Sequence, residues 1–100
     1  MAAVKEELDD FLSYIASEKG LASNTIEAYR RDIEAFAAFI QKKGVTTFVD
    51  ARQENIIDFL SSLQSEGYAT ASIGRALIAL KVFFRFLLRE GHVEVNCANG

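Results

Sequence analysis

Four cations recur through residues 67–91, Arg75, Lys81, Arg85 and Arg89, and only Glu90 opposes them there. At about 3.6 residues per turn they fall within about 120° of one another, with Ala71, Gly74, Ile78 and Val82 between them. Such a stripe can make charge-assisted hydrogen bonds to anionic oxygens, and rows of Lys and Arg supply most sequence-independent affinity for a phosphate backbone. The small Ala71 and Gly74 would let another surface approach closely. A solvated face, or pairing with acidic helices elsewhere in the chain, would account for the same stripe. Arg30 and Arg31 form a second basic point, but Glu27 and Glu34 share their face, and local pairing accounts for them equally well.

Other chemistry finds little support. His92 is the only imidazole and follows a helix end, where a cation is favoured by the dipole. Cys97 has no base near it in sequence, and Tyr14, Tyr29 and Tyr68 fall at or beside apolar positions, where packing is the expected role. One histidine and one cysteine cannot make a zinc site, and no Gly-rich phosphate loop is present. The chain by itself reads as non-enzymatic, with no metal and no cofactor.

The elements that must carry the stripe follow from composition and periodicity. One hundred residues, half of them hydrophobic and a quarter charged, suit one soluble domain. No apolar run approaches the roughly 20 residues of a membrane helix, and the N-terminus lacks the basic-then-apolar pattern of a signal peptide. A single cysteine fits a reducing, cytoplasmic setting. There is no proline, so long helices are unobstructed. The net charge of −3 argues against a general polyanion binder, which makes the charge distribution the informative quantity.

Four helices are expected. The first, about Ala3 to Lys19, buries Val4, Leu8, Phe11, Leu12 and Ile15 and is acidic on its other face. The second is capped by Ser23 or Asn24, buries Ile26, Tyr29, Ile33, Phe36, Ala37 and Ile40, and stops at Gly44. After a short connection with a possible extended stretch at Thr46–Val49, the third, about Gln53 to Glu66, buries Ile56, Ile57, Phe59, Leu60 and Leu63. The fourth starts at Thr70 or Ala71, with Thr70 as cap, and ends before Gly91. Its apolar arc (Ile73, Leu77, Leu80, Phe84, Leu87 and Leu88, widened by Ala76, Ala79 and Phe83) is that of a central helix surrounded by others.

An internal repeat organises these helices. Shifted by 47 residues, Gly20 to Gly44 lies over Gly67 to Gly91 without a gap, matching Ala22 to Ala69, Ser23 to Thr70, Ile26 to Ile73, Phe36 to Phe83 and Phe39 to Phe86. With one insertion at Lys19, Asp10 to Glu18 lies over Asp58 to Glu66. Chance similarity between amphipathic helices is the plain alternative. The domain reads as two helical hairpins, each with a G-x-A-[ST] turn whose hydroxyl and free N–H groups sit at a helix N-terminus. That is a ready site for a phosphate.

The stretches Gly20 to Phe36 and Ala71 to Gly91, followed by Asn96-Cys97-Ala98, resemble the N-terminal core-binding domain of tyrosine recombinases of the Xer and phage-integrase type. The likeness spans Leu8 to Ala98 with the helices in the same order. It implies an all-α, SAM-like four-helix bundle made of two hairpins, residues 1–91, and a linker, 92–100, towards a catalytic domain absent from this chain. It also implies that the second and fourth helices cross in the major groove of double-stranded DNA. By that resemblance the DNA-binding residues are Asn24, Thr25, Ala28 and Arg31 on the second helix and Ala71, Ser72, Arg75 and Lys81 on the fourth. The acidic first helix would face another recombinase protomer in a synaptic tetramer. One departure is the linker, where the family has Asn-Pro and this chain has Asn96-Cys97, loosening the hinge. The family's catalytic arginines, histidines and tyrosine have no counterpart here, so the chain is expected to be one domain of a longer enzyme. The competing reading is a protein–protein interaction domain of SAM or death-fold type that assembles through its charged faces.

Overall fold

A computed structural model describes the backbone of residues 2–91 and the side chains from residue 5 onward. The expected linker, with His92 and Cys97, lies outside the described residues. Four α-helices follow one another: α1 (Ala2–Ser17), α2 (Ser23–Lys42), α3 (Gln53–Ser65) and α4 (Thr70–Arg89). A 3₁₀ turn, Phe48–Asp50, lies between α2 and α3. The chain forms the expected all-α bundle of two hairpins, α1–α2 and α3–α4, and α4 packs against each of the other three helices.

The repeat is written in the backbone as well as in the sequence. Helices α2 and α4 are both 20 residues long and are offset by 47 at both ends. Their N-caps are superimposable in conformation, Ala22 at φ −65°, ψ 149° and Ala69 at φ −64°, ψ 147°. Gly20 and Gly67, two residues earlier, both take positive φ, 61° and 87°. That region is open to glycine and costly for a residue with a Cβ, which explains why the same residue type recurs at both turns.

The caps differ from expectation by one position. Ala22 and Ala69 occupy the N-cap positions, while Ser23 and Thr70 are already helical, and neither helix has a side-chain cap. The first helical bonds run from Ile26 N–H to the Ala22 carbonyl (3.0 Å) and from Ile73 N–H to the Ala69 carbonyl (3.1 Å). The amides of Ser23, Asn24 and Thr25, and of Thr70, Ala71 and Ser72, therefore precede the helical ladder and are left for an outside acceptor. By contrast, α3 is locally capped: Asn55 Oδ1 accepts from the Arg52 backbone N–H at 2.7 Å.

The core is aromatic. Phe11, Phe36, Phe48, Phe83 and Phe84 are fully buried, joined by Ile15, Ile33, Ile40, Leu80 and Leu87. Phe83 meets Phe48 edge-to-face at 4.7 Å and Phe11 at 5.1 Å, so the central helix binds both the first helix and the connection. Of the stretch expected to be briefly extended, Thr47 is extended (φ −136°, ψ 155°) but Phe48 and Val49 belong to the 3₁₀ turn; Thr47 Oγ1 donates to Asp50 Oδ2 (3.0 Å) while Phe48 plugs the core. Three expected core residues are exposed: Ile57 at 56%, Tyr68 at 54% and Leu88 at 41%. Ile57 and Leu88 lie at the edges of their helices' apolar arcs, and Tyr68 lies in the turn between α3 and α4.

Candidate nucleic-acid interface

The basic stripe of α4 is on the surface. Ala71, Gly74, Arg75, Ile78, Lys81, Arg85 and Arg89 are exposed, and Val82 is half-buried. At Gly74 an added Cβ would meet nothing within 4 Å, so nothing in the fold requires glycine there. On α2, Asn24 and Arg31 are exposed, while Thr25 and Ala28 are half-buried; Ser72 on α4 is also half-buried. The two helices pack against each other, so both sets of residues lie on one helix pair.

The cations fall into distinct electrostatic situations. Arg30 is spent within its own helix, paired with Glu27 and, at 3.5 Å, with Glu34. Arg31, Lys81 and Arg85 have no acidic partner among the described residues. Arg89 stacks 4.7 Å above the Tyr14 ring and donates through Nη1 to the Tyr14 hydroxyl at 3.3 Å. Half-buried Tyr14 is thereby a ledge for a cation as well as a packing residue.

Arg75 is the exception that the sequence did not reveal. Its Nε donates to Asp32 Oδ2 and its Nη2 to Asp32 Oδ1, both at 2.9 Å. The fork is bidentate and joins α4 to α2 across 43 residues of sequence. Asp32 is the one buried charged residue described, at 8% exposure, whereas the Arg75 side chain remains 44% exposed. The hydrogen bonds that Arg75 donates to Asp32 raise its pKa above the ordinary value; partial desolvation pulls it down, and the carboxylate's charge adds to the rise. An acid does therefore reach the stripe, from the neighbouring helix.

Sequence reasoning also missed Lys19. With Arg85 and Arg89 it lines a cleft of about 210 Å³ floored by Tyr14, Tyr29 and Phe86, extending the basic surface to the turn before α2. Its only signal was a position one residue before Gly20. Among the described residues no cluster of His, Cys, Asp or Glu could hold a metal ion, and no helix is long and apolar enough to cross a membrane.

Residues 8–91 match the family model described as phage integrase, N-terminal SAM-like domain. The chain is 33% identical over 93 residues to a tyrosine recombinase XerC from Herpetosiphon aurantiacus, covering 93% of this chain and 30% of that protein. It is 39% identical over 80 residues to a tyrosine recombinase XerD from Bradyrhizobium diazoefficiens, covering 80% and 25% of the two chains. With a XerD from Brucella abortus it shares 42% over 84 residues, 84% of this chain and 27% of that one. The chain thus spans about three-tenths of the length of these relatives. No solved structure matches it. With the family's model covering α2, α3, α4, the larger part of α1 and the two matched turns, the chain belongs to the phage-integrase N-terminal SAM-like domain family, the N-terminal domain of tyrosine recombinases.

Proposed function

We propose that this domain binds double-stranded DNA as the core-binding half of a clamp in a site-specific tyrosine recombinase. The N-terminal halves of α2 and α4 enter the major groove, using Asn24, Thr25, Ala28 and Arg31 from one helix and Ala71, Ser72, Arg75 and Lys81 from the other. The observation that carries this reading is the pairing of an exposed basic α4 stripe, in which Lys81 and Arg85 have no acidic partner among the described residues, with two matched helix N-termini that lack side-chain caps. Amides at a helix start and flexible lysines are phosphate ligands, and such contacts set register rather than sequence. Strand cutting and rejoining through a phosphotyrosine link is assigned to a separate catalytic domain, joined through residues 92–100. The acidic exposed face of α1 (Glu6, Asp9 and Asp10) is unsuited to DNA and faces another recombinase protomer in the synaptic tetramer.

Titrating duplex DNA at two salt concentrations tests the reading. Binding should weaken steeply with salt, and Arg31→Ala with Lys81→Ala should shallow the salt slope by about one unit per lost phosphate contact. Absence of binding at low salt, or an unchanged slope in the double variant, would favour the interaction-domain alternative.

A further inference from the structure

The Arg75–Asp32 fork spends a known part of a guanidinium. Arginine has five N–H donors in a fixed plane. Asp32 takes one from Nε and one from Nη2, along the side edge. Three remain, and two of them, one on Nη1 and one on Nη2, form the end edge. A carboxylate that is itself buried holds the plane still, while the arginine side chain stays 44% exposed. A flexible surface cation, free to follow any phosphate, needs no such brace. A planar fork held in one orientation is what bidentate recognition of guanine O6 and N7 in the major groove requires.

Two neighbouring features agree with this. Gly74, immediately before Arg75, has open space where a side chain would stand, so a base edge could approach the helix backbone there. In the 47-residue repeat, moreover, the counterparts of Arg75 and Asp32 are Ala28 and Ala79. The repeat-related pair of positions thus carries no such bridge, so the two matched helices do not need it at both places to pack.

We infer that Asp32 is a positioning residue that makes Arg75 a reader of one guanine, while Lys81 and Arg31 supply contacts blind to sequence. The inference rests on the DNA-binding reading and adds base specificity to it.

The test is selection of bound duplexes from a randomised pool, followed by titration of the four duplexes that differ at the selected base pair, with a thermal melt of every variant. The wild-type chain should fix one guanine, preferred on the order of tenfold over the other bases. Asp32→Asn and Arg75→Lys should bind within a few-fold of wild type yet bind the four duplexes equally. Lys81→Ala should weaken all four together and keep the preference. Should Asp32→Asn fail to fold, Arg75→Lys, which keeps a cation against Asp32, carries the same test. A guanine preference that survives Asp32→Asn overturns the inference and leaves DNA binding standing. So does a uniform loss of affinity that tracks a lowered melting temperature, which would make the pair a structural strut. Stronger, unselective binding by Asp32→Asn would mean that the acid merely offsets a phosphate cation, again overturning it. If no duplex is retained at low salt, the DNA-binding reading itself fails and the inference falls with it.

Discussion

The two hairpins share a backbone and differ in what they do with charge. Helices α2 and α4 begin and end at equivalent positions, with the same N-cap conformation and a left-handed glycine two residues earlier. Yet α2 neutralises itself, Arg30 lying between Glu27 and Glu34, while the exposed face of α4 carries Lys81, Arg85 and Arg89 with no carboxylate until Glu90. The inner faces diverge as well. Helix α4 buries seven apolar side chains, three of them phenylalanines, against four for α2 with one phenylalanine, although each of the two packs on all the other helices. Two helices of matched length and matched N-cap conformation thus carry different charge patterns on their exposed faces.

The largest effect expected from breaking this comparison is at the matched core pair Phe36 and Phe83. Both are fully buried, and truncation to alanine should cost about 3–5 kcal/mol in a denaturant titration. Phe83→Ala should be the worse, because its ring meets Phe11, Phe48 and Phe84, whereas Phe36 meets Phe59 and Phe84. Equal losses would argue that α4 is no more central than its copy.

The charged bridge should respond unequally to loss of its two ends. Arg75→Ala leaves the Asp32 carboxylate buried and unpaired, and an unfolding titration should show a loss of about 2–3 kcal/mol. Asp32→Asn leaves a guanidinium that is 44% exposed and can be solvated, so about 1 kcal/mol is expected. The reverse order would mean that Asp32 is far better hydrated than its burial indicates.

Smaller still is the effect at the glycines. Gly20→Ala and Gly67→Ala should each cost about 1–2 kcal/mol, and nearly equally, since both sit at positive φ in open space. Gly74→Ala should do the opposite, stabilising the helix by about 0.5–1 kcal/mol. A melting temperature raised by a few degrees, together with weaker DNA binding, would show that Gly74 serves approach by a partner rather than the fold.

What the sequence made legible divides along physical lines. Periodicity and the glycine spacing were enough for four helices, the hairpin repeat and the exposure of the α4 stripe, because these depend on neighbours within a few residues. Phe48 was harder, because a 3₁₀ turn carrying one plug has no period to detect. Ile57 and Leu88 sit on the apolar arcs by angle, but whether a partner covers the arc's edge depends on how helices cross. Asp32 was hidden for the same reason: flanked by Arg31 and Ile33 it reads as one more charge on an amphipathic helix, and its partner lies 43 residues away. The caps slipped by one position because serine or threonine fits both N-cap and first-turn positions, and here Ala22 and Ala69 adopt the extended cap conformation.

The central claim is that DNA meets the N-terminal halves of α2 and α4, and amide chemical-shift mapping during titration with a duplex at low salt tests it residue by residue. The account predicts perturbations concentrated at residues 23–31 and 70–81, with the Arg75 side-chain resonances among them, while the exposed faces of α1 and α3 stay unmoved. Shifts gathered on α1 or α3, with those two segments silent, would contradict it.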